Sequence, residues 1–165
     1  MQARRDRQQA QSDARRAGVL DAARTVFGQL GIEGASIREI ARQAGYTPGA
    51  IYSYFESKEA IYGALLAESL ERLNAAVDAA GNAALTPAER LDAKASAWFG
   101  FYAANPRDLD LGFYLVQGMR PRGLTAELND QLNDRLHDAL QPCEAALRAM
   151  GLDAQEALRE NTALF

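Results

Sequence analysis

Apolar residues recur every three or four positions along most of this chain, the spacing of a helix face. Ala17, Leu20, Ala23, Val26, Phe27 and Leu30 predict a first helix over 13–30. After a loop at 31–34, Ile37, Ile40, Ala41 and Ala44 repeat the pattern over 36–44, with Ser36 placed to cap the helix start. Gly45 suits a helix stop, because a residue without Cβ takes the left-handed conformation readily. Thr47 then caps a third helix near 48–54, and Pro48 stands at its first position, where a missing N–H costs nothing. Ile51 and Phe55 give that helix an inward face. Ser57 opens a fourth helix that reaches about residue 80, apolar at Ile61, Leu65, Leu66, Leu70, Leu73 and Val77, until Gly81-Asn82 breaks it.

The second half is built the same way. Thr86-Pro87-Ala88-Glu89 reads as a capping box at the start of a fifth helix that ends near Asn105-Pro106. A sixth helix covers about 106–118, and Gly118, Pro121 and Gly123 mark a loop. A seventh runs from about 125 to 150, with Pro142 expected to kink or split it. A last helix starts at Asp153 and is still running at Phe165, so the body reads as incomplete at its C-terminus. The pattern gives nine helical segments and no strand: an all-α chain. It divides into a three-helix reading head at 13–60, a long connecting helix, and a helical body within 61–165. The first twelve residues are expected to be a basic, disordered arm.

The second and third predicted helices carry the chemistry. A helix of barely two turns is not stable alone, so its worth lies in what it presents: Tyr52, Ser53 and Tyr54, with Lys58 just beyond. Two short helices, a tight glycine turn, and hydroxyls plus a cation at the exposed end suit a helix-turn-helix that reads the DNA major groove. The expected DNA contacts are Ser36, Arg38, Thr47, Pro48, Gly49, Tyr52, Ser53, Tyr54 and Lys58. Lys58 and Tyr52 are assigned to phosphate, whereas Arg38 and Ser53 are assigned to base edges; the guanidinium fork matches guanine O6 and N7.

The stretch SIREIARQAGYTPGAIYSYFESK resembles the N-terminal domain of the TetR family of bacterial transcriptional repressors. That family's pattern is met by Ile40-Ala41, Ala44-Gly45, Thr47, Gly49, Tyr52, Phe55 and Lys58. Ser36 or Ile37 stands near the pattern's opening Thr, Tyr46 replaces a Val, Thr47 a Ser, and Tyr54 a His. The likeness covers about residues 18–70. It implies a homodimer on a palindromic double-stranded operator, with a small-molecule effector bound in the body.

Net charge of −4 argues against a nucleic-acid partner until its distribution is considered. Residues 1–60 carry nine Arg/Lys against seven Asp/Glu, and the rest nine against fifteen. Arg4, Arg5, Arg7, Arg15 and Arg16 make the clearest local excess, and phosphate contact needs only a local basic surface. No apolar run approaches the roughly 18 residues of a membrane span, and the N-terminus lacks the apolar core of a signal peptide. One cysteine, Cys143, allows no internal disulfide, which fits a cytoplasmic setting.

In the body, Trp98, Phe101 and Tyr102 share one helix face, opposite Phe113, Tyr114, Gln117 and Met119. Such a stripe is usually core, but polar tips among rings are also how small-molecule sites are made. The expected effector-binding residues are Trp98, Tyr102, Phe113, Tyr114, Gln117 and Met119. Enzymatic function finds no parts. His137 and Cys143 fall on different helix faces, and Glu127, Asp130, Asp134 and Asp138 alternate with Gln131 and Arg135 as a solvated face. No phosphate loop, dinucleotide glycine set or metal-ligand cluster occurs. No cofactor or metal is expected. The remaining alternative is a helical interaction module that never touches DNA.

Overall fold

The structure, a computed structural model, describes residues 2–81, 85–116 and 124–165, without the side chains of Ala3 and residues 113–116. Eight α-helices occur among them, and no strand: α1 (Gln2–Gly34), α2 (Ile37–Ala44), α3 (Pro48–Tyr52), α4 (Lys58–Ala79), α5 (Pro87–Ala104), α6 (Pro106–Val116), α7 (Ala126–Ala149) and α8 (Ala154–Leu164). The caps fall where the sequence put them. Ser36, Thr47, Ser57, Thr86, Thr125 and Asp153 each accept a backbone N–H from the first turn of the helix they precede. At Thr86 and Asp153 the N3 glutamate also accepts the cap's own N–H, completing capping boxes.

Three expectations are corrected. The count is eight rather than nine, because α7 runs through Pro142 as one element; the residues around it are held by packing, with Ala139, Cys143, Ala146 and Leu147 buried. The first helix is longer at both ends. It continues back to Gln2, where expectation placed a disordered arm, and Gln2–Asp6 and Gln9–Asp13 side-chain bonds one turn apart support that extension. It also continues past a break at Gly31, whose φ of 68° and ψ of 170° are not helical. Leu30 and Ala17 lie outside the buried face; Leu30 is 47% exposed.

The reading head closes on Val19, Leu20, Ala23, Val26 and Phe27 of α1 with Ile40, Ala41, Ile51 and Phe55. That core runs without interruption through Ile61, Tyr62, Leu65, Leu66, Leu70, Leu73 and Val77 of α4 into Trp98, Tyr102, Leu132 and Ala139 of the body. Helix α4 is therefore the central element, packed against α1, α5, α6 and α7. Its C-terminal carbonyls are closed by Lys94 of α5, whose ammonium donates to Val77 O at 2.9 Å and Ala80 O at 3.0 Å.

Two glycines in this frame predict opposite outcomes. A Cβ on Gly63 of α4 would lie 2.6 Å from Leu128 Cδ2, whereas one on Gly28 of α1 meets nothing within 4 Å. Overpacking costs about 1–3 kcal/mol, and Gly to Ala inside a helix returns up to about 1 kcal/mol. Gly63→Ala is expected to destabilise by about 1 kcal/mol and Gly28→Ala to stabilise by about 0.5–1 kcal/mol. Urea unfolding of the two variants checks both signs.

Candidate nucleic-acid interface

The α2–α3 unit is held from beneath and open above. Ile40, Ala41, Ile51 and Phe55 are buried, while Arg38, Thr47, Pro48, Gly49, Tyr52 and Ser53 are exposed. The turn between the helices is fixed by Gly45, with φ of 72° and its N–H directed to Ala41 O and Arg42 O. Tyr46 N–H follows onto Ala41 O at 2.9 Å. This is a left-handed stop, strained for any residue with a Cβ. Thr47 Oγ1 then accepts from Ala50 N at 3.2 Å, so α3 starts in a set direction despite having five residues.

The expected contact residues are not equivalent. Arg38 stands in the first turn of α2, exposed, and Tyr52 is 57% exposed with its ring in solvent. A Cβ on Gly49 would meet only Thr47 Oγ1, at 4.0 Å, so bare backbone faces open space there. Ser36 is partly buried and occupied: its oxygen accepts from Glu39 N, and its hydroxyl lies 2.8 Å from Glu39 Oε2. Ser53 donates to Ala50 O at 2.7 Å and keeps acceptor capacity outward. Tyr54 is partly buried and packs against the core, less available than an expected DNA contact would be.

Lys58 differs most from expectation. Its ammonium donates to Ile32 O at 2.8 Å, Ala35 O at 3.0 Å and Glu33 O at 3.3 Å. Three donors meet three carbonyls at and just past the α1 terminus, so the cation closes the corner between α1 and α2. The sequence hid this because the partners are backbone atoms 23 to 26 residues away. Among the basic residues of the N-terminal segment, Arg16 is also engaged, its guanidinium 4.9 Å above the Phe55 ring.

The matching family model is that of bacterial regulatory proteins of the tetR family, over residues 14–65. Residues 14–65 are therefore a tetR-family regulatory domain. The family's members are described as bacterial regulatory proteins. HTH-type transcriptional regulator BetI of Rhizobium meliloti is 34% identical over 116 residues, covering 62% of this chain and 57% of that protein. The chain thus spans little more than half the length of this curated relative. A tetR-family regulatory protein from Rhodococcus RHA1 shares the fold at a TM-score of 0.76, with 24% identity, over 91% of this chain and 80% of that one. AibR, solved with isovaleryl coenzyme A and operator DNA, shares it at 0.72, with 18% identity, over 91% and 81%.

Within the helical body, Trp98 and Tyr102 come together as the sequence expected, each 6% exposed. Their ring centroids are 4.7 Å apart, and Phe165 packs on Trp98 at 4.7 Å. The Trp98 indole N–H is buried and has no hydrogen-bond partner among the described residues. The side chains of Phe113 and Tyr114, and all of Gln117 and Met119, lie outside the described residues. Cys143 is buried and burial pushes its thiol pKa up, while His137 is exposed on the same helix, so the two do not form a pair. No described helix is long and apolar enough to cross a membrane.

Burial, with a smaller contribution from the negative charge of Asp108, pushes the Tyr102 hydroxyl up to about 12 from its ordinary 10.0. A phenol whose folded pKa is raised contributes stability that is whole below the unfolded pKa and is lost as pH rises through the folded one. Stability should therefore fall between about pH 10 and 12, and Tyr102→Phe should flatten part of that fall. Urea midpoints of both proteins across that range check it.

Proposed function

We propose that the chain is a transcriptional repressor that binds a palindromic operator as a homodimer and is released from it by a small apolar or amphipathic effector. The observation that carries the reading is the α2–α3 unit. Its inward face is buried and its turn is locked by Gly45, while Arg38 and Tyr52 are left exposed on a family-matched frame. The likeness to AibR, whose structure contains operator DNA and an acyl coenzyme A, supports both halves of the proposal. Two heads about 34–36 Å apart, or a multiple of that, would enter successive major grooves. Helix α4 would act as the lever, since it is continuous from the corner under the head to the body core. An effector that fits only one head spacing shifts the population toward it.

For DNA, Arg38 is proposed as base reader with Ser53 beside it, and Tyr52 with the Thr47-Pro48-Gly49 backbone on phosphate. For the effector, the residues proposed are Trp98, Tyr102, Phe113, Tyr114, Gln117 and Met119. The test is gel mobility of the chain's own promoter DNA at low and high salt, followed by selection from random duplexes. Arg38→Ala is expected to weaken operator binding by about 1–3 kcal/mol and relax the choice at one symmetric base pair. An unchanged selected motif would remove Arg38 from base reading. No shift of promoter DNA at any salt would favour the interaction-module alternative.

A further inference from the structure

Between α1, α4 and α6 lies a hollow of about 430 Å³, at the junction of head and body and apart from the aromatic cluster around Trp98. We propose that it is a ligand site for an organic monoanion carrying an aromatic or compact apolar group. The volume falls in the range of roughly 300–1,000 Å³ that small-molecule sites occupy.

Its walls are divided by chemistry. Phe27 and Tyr62, an edge-to-face pair with centroids 6.2 Å apart, line it together with Leu111 and, being nearly buried themselves, form its apolar floor. Arg24 and Arg107 supply the charge. Among the described residues Arg24 has only long ionic contacts, to Asp21 at 3.4 Å and Glu68 at 3.5 Å, which leave its fork without a short bidentate partner. Arg107 is exposed and has no ion pair among the described residues. A second hollow of about 380 Å³ shares these two arginines and adds Arg72, which Asp108 already holds at 2.5 Å. Asp110 also lines the first hollow, so the lining side chains themselves carry one net positive charge, with Asp21 and Glu68 outside the lining against Arg24. That charge matches a monoanion better than a dianion, and it disfavours a cation. Gly28 leaves that part of the wall without a side chain, and a Cβ there would meet nothing within 4 Å.

The position gives the site leverage. Tyr62 donates to Leu111 O at 2.5 Å, and Arg72 pairs with Asp108, so α6 is clasped to α4 at two points. Arg24 belongs to the head and Arg107 to the body. A carboxylate bridging them would set the distance between α1 and α6, and by linkage operator DNA must change the affinity for that anion by the same factor. This coupling rests on the regulator reading; the binding itself does not.

The test is calorimetry on the whole chain with 2-naphthoate, neutral 2-naphthalenemethanol and 2-naphthylmethylammonium. Expected are one site per chain, naphthoate bound at least about tenfold more tightly than the alcohol, and no binding of the ammonium. Arg107→Ala should lose about tenfold in naphthoate affinity without a change in melting temperature. Gly28→Met should fill the hollow and abolish binding, and Trp98→Phe should leave it unchanged. Naphthoate binding absent, no stronger than the alcohol's, or unaffected by both Gly28→Met and Arg107→Ala would overturn the site. Loss of the site with promoter binding intact would leave the regulator reading standing; anion binding without any DNA binding would do the reverse.

Discussion

Trp98→Ala is expected to lower the free energy of unfolding by about 3–5 kcal/mol, the range for removing a buried indole without refilling its space. For a chain of this length that corresponds to a fall in melting temperature on the order of 10 °C. The reason is the number of elements meeting there. Trp98 on α5 touches Phe99, Tyr102 and Phe165, the last of these at the end of α8. Deleting it opens a void that α5 and α8 cannot close without moving, and partial collapse still forfeits dispersion contacts. Trp98→Phe separates packing from recognition. The indole N–H is buried without a partner, so losing it removes a desolvated donor and offsets part of the lost volume. A core role then predicts a loss of about 1–2 kcal/mol with an unaltered effector response. If the N–H serves an effector, the response shifts while thermal unfolding changes little.

Lys58→Ala is expected to destabilise the chain by about 2–3 kcal/mol, because three carbonyls lose a charge-assisted donor together. At about 2–4 °C per kcal/mol, melting falls by about 5–10 °C. DNA affinity should fall with it, since the corner that orients α2 loosens, but the salt dependence of binding should keep its slope. A phosphate contact makes the opposite pair of predictions. The slope would drop by about one unit and melting would hold. Salt titrations of DNA binding beside thermal unfolding of the same variant decide between them, and an unchanged melting temperature would sink the capping role.

Helix positions, caps and the helix-turn-helix were legible because they rest on local chemistry. A hydroxyl at Ser36 or Thr47, a proline at position 48 and a glycine at position 45 each act within four residues of themselves. Periodicity likewise marked Leu65, Leu66, Leu70 and Val77 as the inner face of α4 before any partner was known. The extension of α1 to Gln2 was missed although its one-turn bonds are local, because a basic, polar run reads equally as a solvated arm.

The sequence by itself thus determined the order of the helices, the starting points of most, and the family of the head. Tertiary structure alone decided where the charges act. Lys58 looks like a free cation in sequence, yet its ammonium is folded onto the end of α1. Arg24 and Arg107 are 83 positions apart in the chain, and only the docking of α6 brings them to one hollow. Secondary structure follows from interactions over one or two turns, whereas a binding surface is made by side chains that share no local signal. Their meeting is fixed by the packing of a continuous core around α4, and no periodicity along the chain encodes it.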